Sequence, residues 1–458
     1  MEFVHRPYIP GDTIAAIATP PGEGGIAVIR VTGENALSVV SKIYSGPIHT
    51  YKSHTAHLGK ILDLQGNTID EVLVLILLGK RSFAGEDTVE IHCHGGSIVT
   101  KKVLGVVLQA GARAALPGEF SFKAFMSGKI DLAQAEAVQE LIGAKNEKAL
   151  FIAEQQLQGA LSNKIEKFQK ELVDIAAILE AWVDFPEEGL EFATKEEILC
   201  SLQTTLTKMK TLSDTFHEGK VIKEGLSLCL AGPPNAGKSS LMNALLGKDR
   251  AIVTDIPGTT RDLLEEDILL AGLHFRITDT AGIRETTEVI EKEGIKRSRQ
   301  AMQAADIVLL IFDASMPIGE KEEELLRLSP PEKTILVWNK IDLQEPTDTL
   351  TERFSTTLLS AKTGHGIDLL KQTIEKLLWR SGPPSKEEVV ISSLRHKQAL
   401  DAAIGACDSL MFGLEQEISP EFLSMEMRKI LVELGTILGT NITEDVLSAI
   451  FSKFCVGK

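Results

Sequence analysis

Lys238 and Ser239 sit near the end of "GPPNAGKSS", a stretch that begins at Gly232, follows an apolar run and precedes the helical "LMNALL". The stretch matches G-x-x-x-x-G-K-[ST] in the strand–loop–helix setting that the motif requires. Its glycines let backbone N–H groups turn inward around phosphate, and the helix N-terminus adds positive potential. Lys238 is therefore expected to reach the β- and γ-phosphates. Ser239 is expected to hold Mg²⁺, an ion that keeps several waters and takes few protein ligands. Asn235, Ala236, Gly237 and Ser240 complete the expected phosphate loop.

Three further motifs follow in order. "DTAG" (Asp279, Thr280, Ala281, Gly282) closes an apolar run, and Asp279 there can order the magnesium shell through water. "NKID" (339–342) closes another, with Asn339, Lys340 and the Asp342 carboxylate, which can accept two hydrogen bonds from a guanine ring edge. Adenine offers no matching donors, and sites built around such bonds discriminate by ~10⁴ or more. "SAK" (Ser360, Ala361, Lys362) stands where a backbone N–H usually meets the guanine carbonyl. Together these motifs predict a site for GTP. After Gly282 comes Ile283, where Ras-type enzymes carry a glutamine that holds the attacking water. Isoleucine has no hydrogen-bonding side chain, so either hydrolysis is poor or another group stabilises the transition state.

The elements that must position these residues belong to a chain of 458 residues, long enough for about three domains of ~150 residues. A hydrophobic content of 43% fits several packed cores. No run reaches the ~18 uncharged apolar residues of a membrane span, and "MEFVHRPYIP" lacks a secretory pattern, so a cytoplasmic protein is expected. Five scattered cysteines without a C-x-x-C pair argue against a disulfide framework or a zinc site. The net charge is −16; residues 1–125 hold 11 basic and 11 acidic residues, leaving 37 against 53 downstream. Such a balance argues against a large sequence-independent grip on nucleic acid, so a local patch or a partner would supply any RNA affinity.

Along the chain, "TIAAIA" (13–18), "IAVIRV" (26–31), "EVLVLILL" (71–78) and "TVEIHCH" (88–94) read as strands separated by Gly/Pro turns. No proline occurs from Gly118 to Phe185. There Leu161, Ile165, Phe168, Leu172, Ile175, Leu179 and Trp182 follow 4-3 spacing and form one helical stripe, for a bundle within the chain or for a second subunit. From about residue 225 short apolar runs end in Gly, Asp or Asn, as buried parallel strands do. Helical texture returns after about 382. The reading is a multidomain α/β and α protein: residues 1–125 α+β, 126–222 helical, 223–382 an inserted parallel-rich GTPase domain flanked by helices, and 383–458 helical again.

In "TVEIHCHGG" the two-residue period places Glu90, His92 and His94 on one face and Ile91 and Cys93 on the other. Ligands split across two faces cannot converge on a metal.

"GPPNAGKSSLMNAL", "AIVTDIPGTTRD", "DTAGIRE", "GEFSFKAFMSGKIDLAQAEA" and the terminal "FCVGK" together resemble the MnmE (TrmE) family of tRNA-modification GTPases, from about Thr13 to Lys458. The resemblance implies a Ras-like GTPase domain inserted in a helical bundle, an N-terminal folate-binding and dimerisation domain, and a homodimer. A flavin- and NADH-dependent partner protein and tRNA are implied with it. It also implies an answer to Ile283: potassium, bound as two GTPase domains face each other, replaces an arginine finger worth roughly 10³–10⁵ in rate. The matching potassium ligands are Asn235, the carbonyls of Thr254 and Ile256, and Thr259. Asp255, Pro257 and Gly258 lie among them, and Thr260 matches the switch threonine on Mg²⁺. Glu291 matches a carboxylate that orients the water through a second water; a solvated helix glutamate is the plainer reading.

The family further implies a formyl-tetrahydrofolate, with Arg30, Glu90, Lys129 and Lys458 as matching positions. A carboxylate suits the donors of a pterin edge, and Arg and Lys suit a glutamate tail. Surface roles remain open for Arg30 and Lys129. Cys455 either works near the one-carbon unit or is a buried structural cysteine. "PPGEGG" departs from the family, with Glu23 where a basic residue is usual. Two rival functions stay open: a GTP-switch ribosome-assembly factor that binds rRNA without modifying it, and a one-carbon transferase merely regulated by its GTPase. The acidic C-terminal half and the lack of a basic appendage weigh against the first.

Overall fold

The computed structural model describes residues 11–185, 193–249, 265–270, 272–279, 299–347, 350–379 and 388–457. The chain forms two compact units: residues 1–142, 155–207 and 399–458, and residues 143–154 with 208–398. Among the described residues, no helix is long and apolar enough to cross a membrane.

The first unit contains six strands, β1 (Ile14–Ile17), β2 (Gly24–Thr32), β3 (Thr55–Leu62), β4 (Thr68–Leu77), β5 (Thr88–Gly95) and β6 (Arg113–Ala114). They form one sheet in the order β3-β4-β5-β2-β1-β6, antiparallel except for the β1–β6 pair. The four strands legible in the sequence are present. β3 was not, because "TAHLGKIL" mixes Gly59 and Lys60 into its apolar positions. Two-residue periodicity drives one face into the core: Ile29, Val31, Val72, Val74, Ile76, Val89 and Ile91 are buried with Val103 and Val107 of the helix Ser97–Gln109. The other face carries Arg30 opposite Glu90 and Val28 opposite His92.

The proline-free segment holds four helices, Glu119–Met126, Leu132–Gly143, Glu147–Leu157 and Ala160–Asp184, the last carrying the whole stripe. Glycine permits two of the breaks: Gly128 and Gly159 adopt positive φ of 67° and 87°. On Ala160–Asp184 the predicted stripe is buried from Leu161 to Leu179. Its partner lies in the same chain, the helix Pro420–Leu438, whose Leu423, Met427, Ile430 and Leu434 are buried. Gln169 Nε2 donates to the Leu431 carbonyl at 3.3 Å, and Arg428 reaches Glu180 at 3.0 Å. The stripe thus serves intrachain packing.

The second unit holds β7 (Leu226–Ala231), β8 (Glu265–Leu270), β9 (Leu273–Asp279), β10 (Ile307–Asp313), β11 (Thr334–Asn339) and β12 (Ser355–Leu358). Their order is β12-β11-β10-β7-β9-β8, parallel except for the antiparallel edge pair β8–β9. β10 shows why these strands read as unbroken apolar runs. Ile307, Leu309 and Ile311 enter one core, while Val308, Leu310 and Phe312 enter the other, so both faces are covered.

Phe168, at 1% exposure, anchors the long helix pair. Phe168→Ala is expected to cost about 3–5 kcal/mol. Hydrogen exchange across residues 160–184 and 420–438 in rising urea should show both helices opening earlier together.

Candidate functional site

In the second unit, β7, β9, β10 and β11 run parallel and bring their carboxyl ends to one side, where α/β proteins bind ligands. After Ala231 the chain turns sharply. Gly232 has φ 151°, and a Cβ there would meet the Ile311 carbonyl at 2.2 Å. Asn235 is left-handed at φ 64°. Gly237 has φ 95°, with Asn339 Nδ2 2.2 Å from where its Cβ would stand. The loop then enters the helix Lys238–Asp249. Ala236 is buried, whereas Asn235, Ser239 and Ser240 are exposed. Lys238 folds back over the loop, donating to the carbonyls of Gly232 and Pro233 at 2.8 Å each.

Asn339 joins this loop to the two predicted base-recognition segments. Its Nδ2 donates to the Ala236 carbonyl at 2.9 Å. Its Oδ1 accepts from the backbone N–H of Lys340 at 2.8 Å and of Ala361 at 3.0 Å. The residue is 2% exposed. Next to it, Lys340 adopts φ 66° and pairs with Asp313 at 2.6 Å. The Asp342 carboxylate is oriented by Ser360, whose hydroxyl donates to Oδ1 at 2.6 Å. Asp342 and Lys362 are exposed, while Ser360 is buried.

The structure therefore brings Asn235–Ser240, Asn339–Asp342 and Ser360–Lys362 to the carboxyl ends of the parallel strands. Asp279 ends β9, as expected. Residues 254–260, 280–282 and 291, and with them the predicted Thr254, Ile256, Thr259, Thr260 and Glu291, lie outside the described residues. The link from Asn339 to Ala236 was not legible in the sequence, because it joins residues 103 positions apart. Asp313 was missed as well, although its place at the end of β10 gave a signal.

The first unit holds a second cluster. Arg30 donates to Glu90 Oε1 through Nε at 2.9 Å, and its Nη2 lies 2.9 Å from the same oxygen. The guanidinium lies over the rings of Phe83 at 5.8 Å and Phe120 at 5.6 Å. Arg30 also reaches the Gly457 carbonyl at 3.4 Å. The tail comes here because the phenylalanines of "GEFSFKAFMSGK" hold it. Phe122 meets Phe451 edge-on at 5.3 Å, and Phe451 packs on Phe454 at 5.2 Å. Gly118 N–H donates to the Cys455 carbonyl. A Cβ on Gly457, at φ 92°, would stand 2.4 Å from the Ile17 carbonyl.

Cys455 itself is exposed, so the buried structural reading of this thiol is wrong. The tail is fixed by the Cys455 backbone and by the buried Phe454 ring, leaving the intervening side chain outside. Lys129 bonds the Lys80 carbonyl at 2.6 Å, on the loop that carries Phe83, and not the Arg30–Glu90 pair. Lys458 lies outside the described residues. Beside the tail, a cavity of about 570 Å³ is lined by Ile17, Glu23, Lys101, Leu104 and Val456, among others. On β5, Cys93 faces the core, and burial pushes its thiol up to about 11, with Asp70 adding to the shift. Among the described residues no cluster of three His, Cys, Asp or Glu side chains is placed to hold a metal.

The Asp313 carboxyl lies below its ordinary value of 3.8. Burial alone would raise it, but hydrogen bonds from Lys340 and from the Ser315 hydroxyl and N–H outweigh that. A depressed folded-state value stabilises the unit above pH 3.8, and this stability is lost as the pH falls through the folded value. Asp313→Asn is expected to lower stability at neutral pH by about 1 kcal/mol. The deficit should shrink at about pH 3, as read by urea midpoints at the two pH values.

Comparison with known proteins agrees with both halves of this description. A family described as "MnmE helical domain" matches residues 132–455, and one described as "GTP-binding protein TrmE N-terminus" matches residues 13–129. The chain is similar to the tRNA modification GTPase MnmE of Protochlamydia amoebophila (strain UWE25), with 61% identity over 458 residues and 100% of each chain covered. Relatives of the same description from Chlamydia trachomatis serovar L2 and Chlamydia abortus are each 44% identical, covering 98% of this chain and 99% and 100% of their own. Identity of this extent over the full length, together with a strand–loop–helix phosphate loop tied to an NKID segment, shows that the chain belongs to the MnmE (TrmE) family of tRNA modification GTPases.

Proposed function

We propose that this chain hydrolyses GTP in order to drive modification of the wobble uridine of certain tRNAs. Working with a flavin- and NADH-dependent partner protein in the cytoplasm, it adds an aminomethyl-type (carboxymethylaminomethyl) group at C5. We assign residues 1–125 to folate binding and dimerisation, 126–222 and 383–458 to the helical domain, and 223–382 to the GTPase domain. The observation that carries the GTP half is the Asn339 side chain, which ties the phosphate loop to both base-recognition segments. The tRNA half rests on the activity that its relatives' name prints.

The residues present fit the ligands this reading requires. Gly232 and Gly237 leave backbone space that any Cβ would fill, and Ser239 stands exposed at the first turn of the following helix. Ser239 and Thr260 would hold Mg²⁺, which supplies charge neutralisation of the phosphates. Lys238 would leave its two loop carbonyls for the β- and γ-phosphates. The Asp342 carboxylate, already aimed by Ser360, would read the guanine edge.

In place of a glutamine, Asn235 with the Thr254 and Ile256 carbonyls and Thr259 would hold potassium, and Glu291 would orient water. All four are uncharged oxygen donors, which suits a large monovalent cation. Asn235 is exposed and left-handed, so its amide is free of the core.

In the first unit, Glu90 anchored by Arg30 between Phe83 and Phe120 fits a flat heterocycle such as the pterin of 5-formyl-tetrahydrofolate, with Lys129 and Lys458 as further positions and Cys455 near the one-carbon unit. Dimerisation is supported by the open sheet face, where Ile26 and Leu58 are 67% exposed and Leu73 is 47% exposed. Leu58 pairs with Leu73 across β3–β4, while Ile26 lies beyond β5, opposite His94.

GTP hydrolysis is expected to run at least about tenfold faster in potassium than in sodium, since the ion stands in for an arginine finger. Asn235→Ala should erase the difference in a phosphate-release assay. Lys238→Ala should weaken binding of a fluorescent GTP analogue by at least about tenfold. Equal rates in both salts would count against the cation assignment, and unchanged affinity in the lysine variant would count against the phosphate role.

A further inference from the structure

His92 stands two residues after Glu90 on β5, on the same face. Its Nε2 is buried and makes no hydrogen bond. Glu90 Oε2 lies 3.5 Å away, in an arrangement that does not bond. Buried polar atoms are nearly always satisfied, and leaving one unmade carries a desolvation cost. The other polar groups of β5 on this face are committed, Thr88 to Thr32 at 2.9 Å. Glu90 Oε1 takes the Arg30 guanidinium, and His94 is held by Asp70 at 2.7 Å. Glu90 Oε2 and His92 Nε2 therefore form an adjacent pair at the edge of the cluster.

A carboxylate oxygen so close favours the imidazole tautomer that carries its hydrogen on Nε2. The pair then reads, in sequence, as an acceptor beside a donor. A 2-amino-4-oxo-pterin presents the complement: its amine and ring N–H donate to a carboxylate, and the neighbouring 4-oxo oxygen accepts. A 4-amino pteridine presents a donor where the 4-oxo group stands, so it would leave His92 Nε2–H facing another N–H.

We propose that His92 is a specificity-determining residue of the folate site, donating from Nε2 to the 4-oxo oxygen of the pterin while Glu90 accepts from its amino edge. This inference rests on the assignment of the Arg30–Glu90 cluster to folate.

The test is calorimetric titration of the full chain with 5-formyl-tetrahydrofolate and with its 4-amino-4-deoxy counterpart, for the wild type and for His92→Ala, His92→Gln and Glu90→Gln. The wild type should prefer the 4-oxo compound. His92→Ala should bind that compound about fivefold to tenfold more weakly, the worth of one neutral hydrogen bond, while binding the 4-amino compound as before. His92→Gln, which restores a side-chain N–H, should recover most of the loss. Thermal melting of each variant checks that the sheet is intact. Unchanged 4-oxo affinity in His92→Ala, or an equal loss for both compounds that glutamine does not rescue, overturns the His92 role while a loss in Glu90→Gln leaves the folate site standing. Absence of binding by the wild type, or full binding by Glu90→Gln, overturns the folate assignment itself.

Discussion

The nucleotide-facing edge of the second unit depends on one buried amide. Asn339 spends its donor on the phosphate loop and its acceptor on two backbone N–H groups from the segments expected to face the base. At 2% exposure it has no water to fall back on, so any separation of these loops would strand polar atoms at a cost of about 1–3 kcal/mol each. The close approach that permits the bond is possible only because residue 237 has no side chain. The segments proposed to recognise phosphate and base are thus tied together by one buried side chain.

The charged groups around this amide are tuned to the same end. Lys340 turns left-handed and locks on Asp313, which keeps that carboxylate ionised and the NKID loop in place. Ser360, buried, turns Asp342 outward. Of the two motif lysines, Lys340 bonds the Asp313 carboxylate, and Lys238 donates to the carbonyls of Gly232 and Pro233.

The first unit achieves order by a different route. Its tail is short and contains Gly457, a residue with little tendency of its own to order. Aromatic packing of Phe122, Phe451 and Phe454 supplies the order, and backbone bonds at Cys455 and Gly457 finish it. The Arg30 guanidinium, paired with Glu90, lies over the rings of Phe83 and Phe120 on a sheet whose opposite face is core. Low water access strengthens Arg30–Glu90 and makes the unpaired His92 nitrogen conspicuous.

Much of this was written locally in the chain. Two-residue periodicity located β1, β2, β4 and β5 and assigned Glu90, His92 and His94 to one face, because alternation is a property of the strand itself. The 4-3 stripe from Leu161 to Leu179 likewise fixed which face of its helix would be buried. What covers that stripe, the helix Pro420–Leu438, could not be read, since burial asks only for apolar surface and names no partner. The same limit hid the exposure of Cys455, the breaks in the proline-free helical run, and the bond between Asn339 and Ala236. Spacing dictates the direction in which a side chain points, but only the folded chain decides what meets it there, because contacts between distant segments depend on every turn that lies between them.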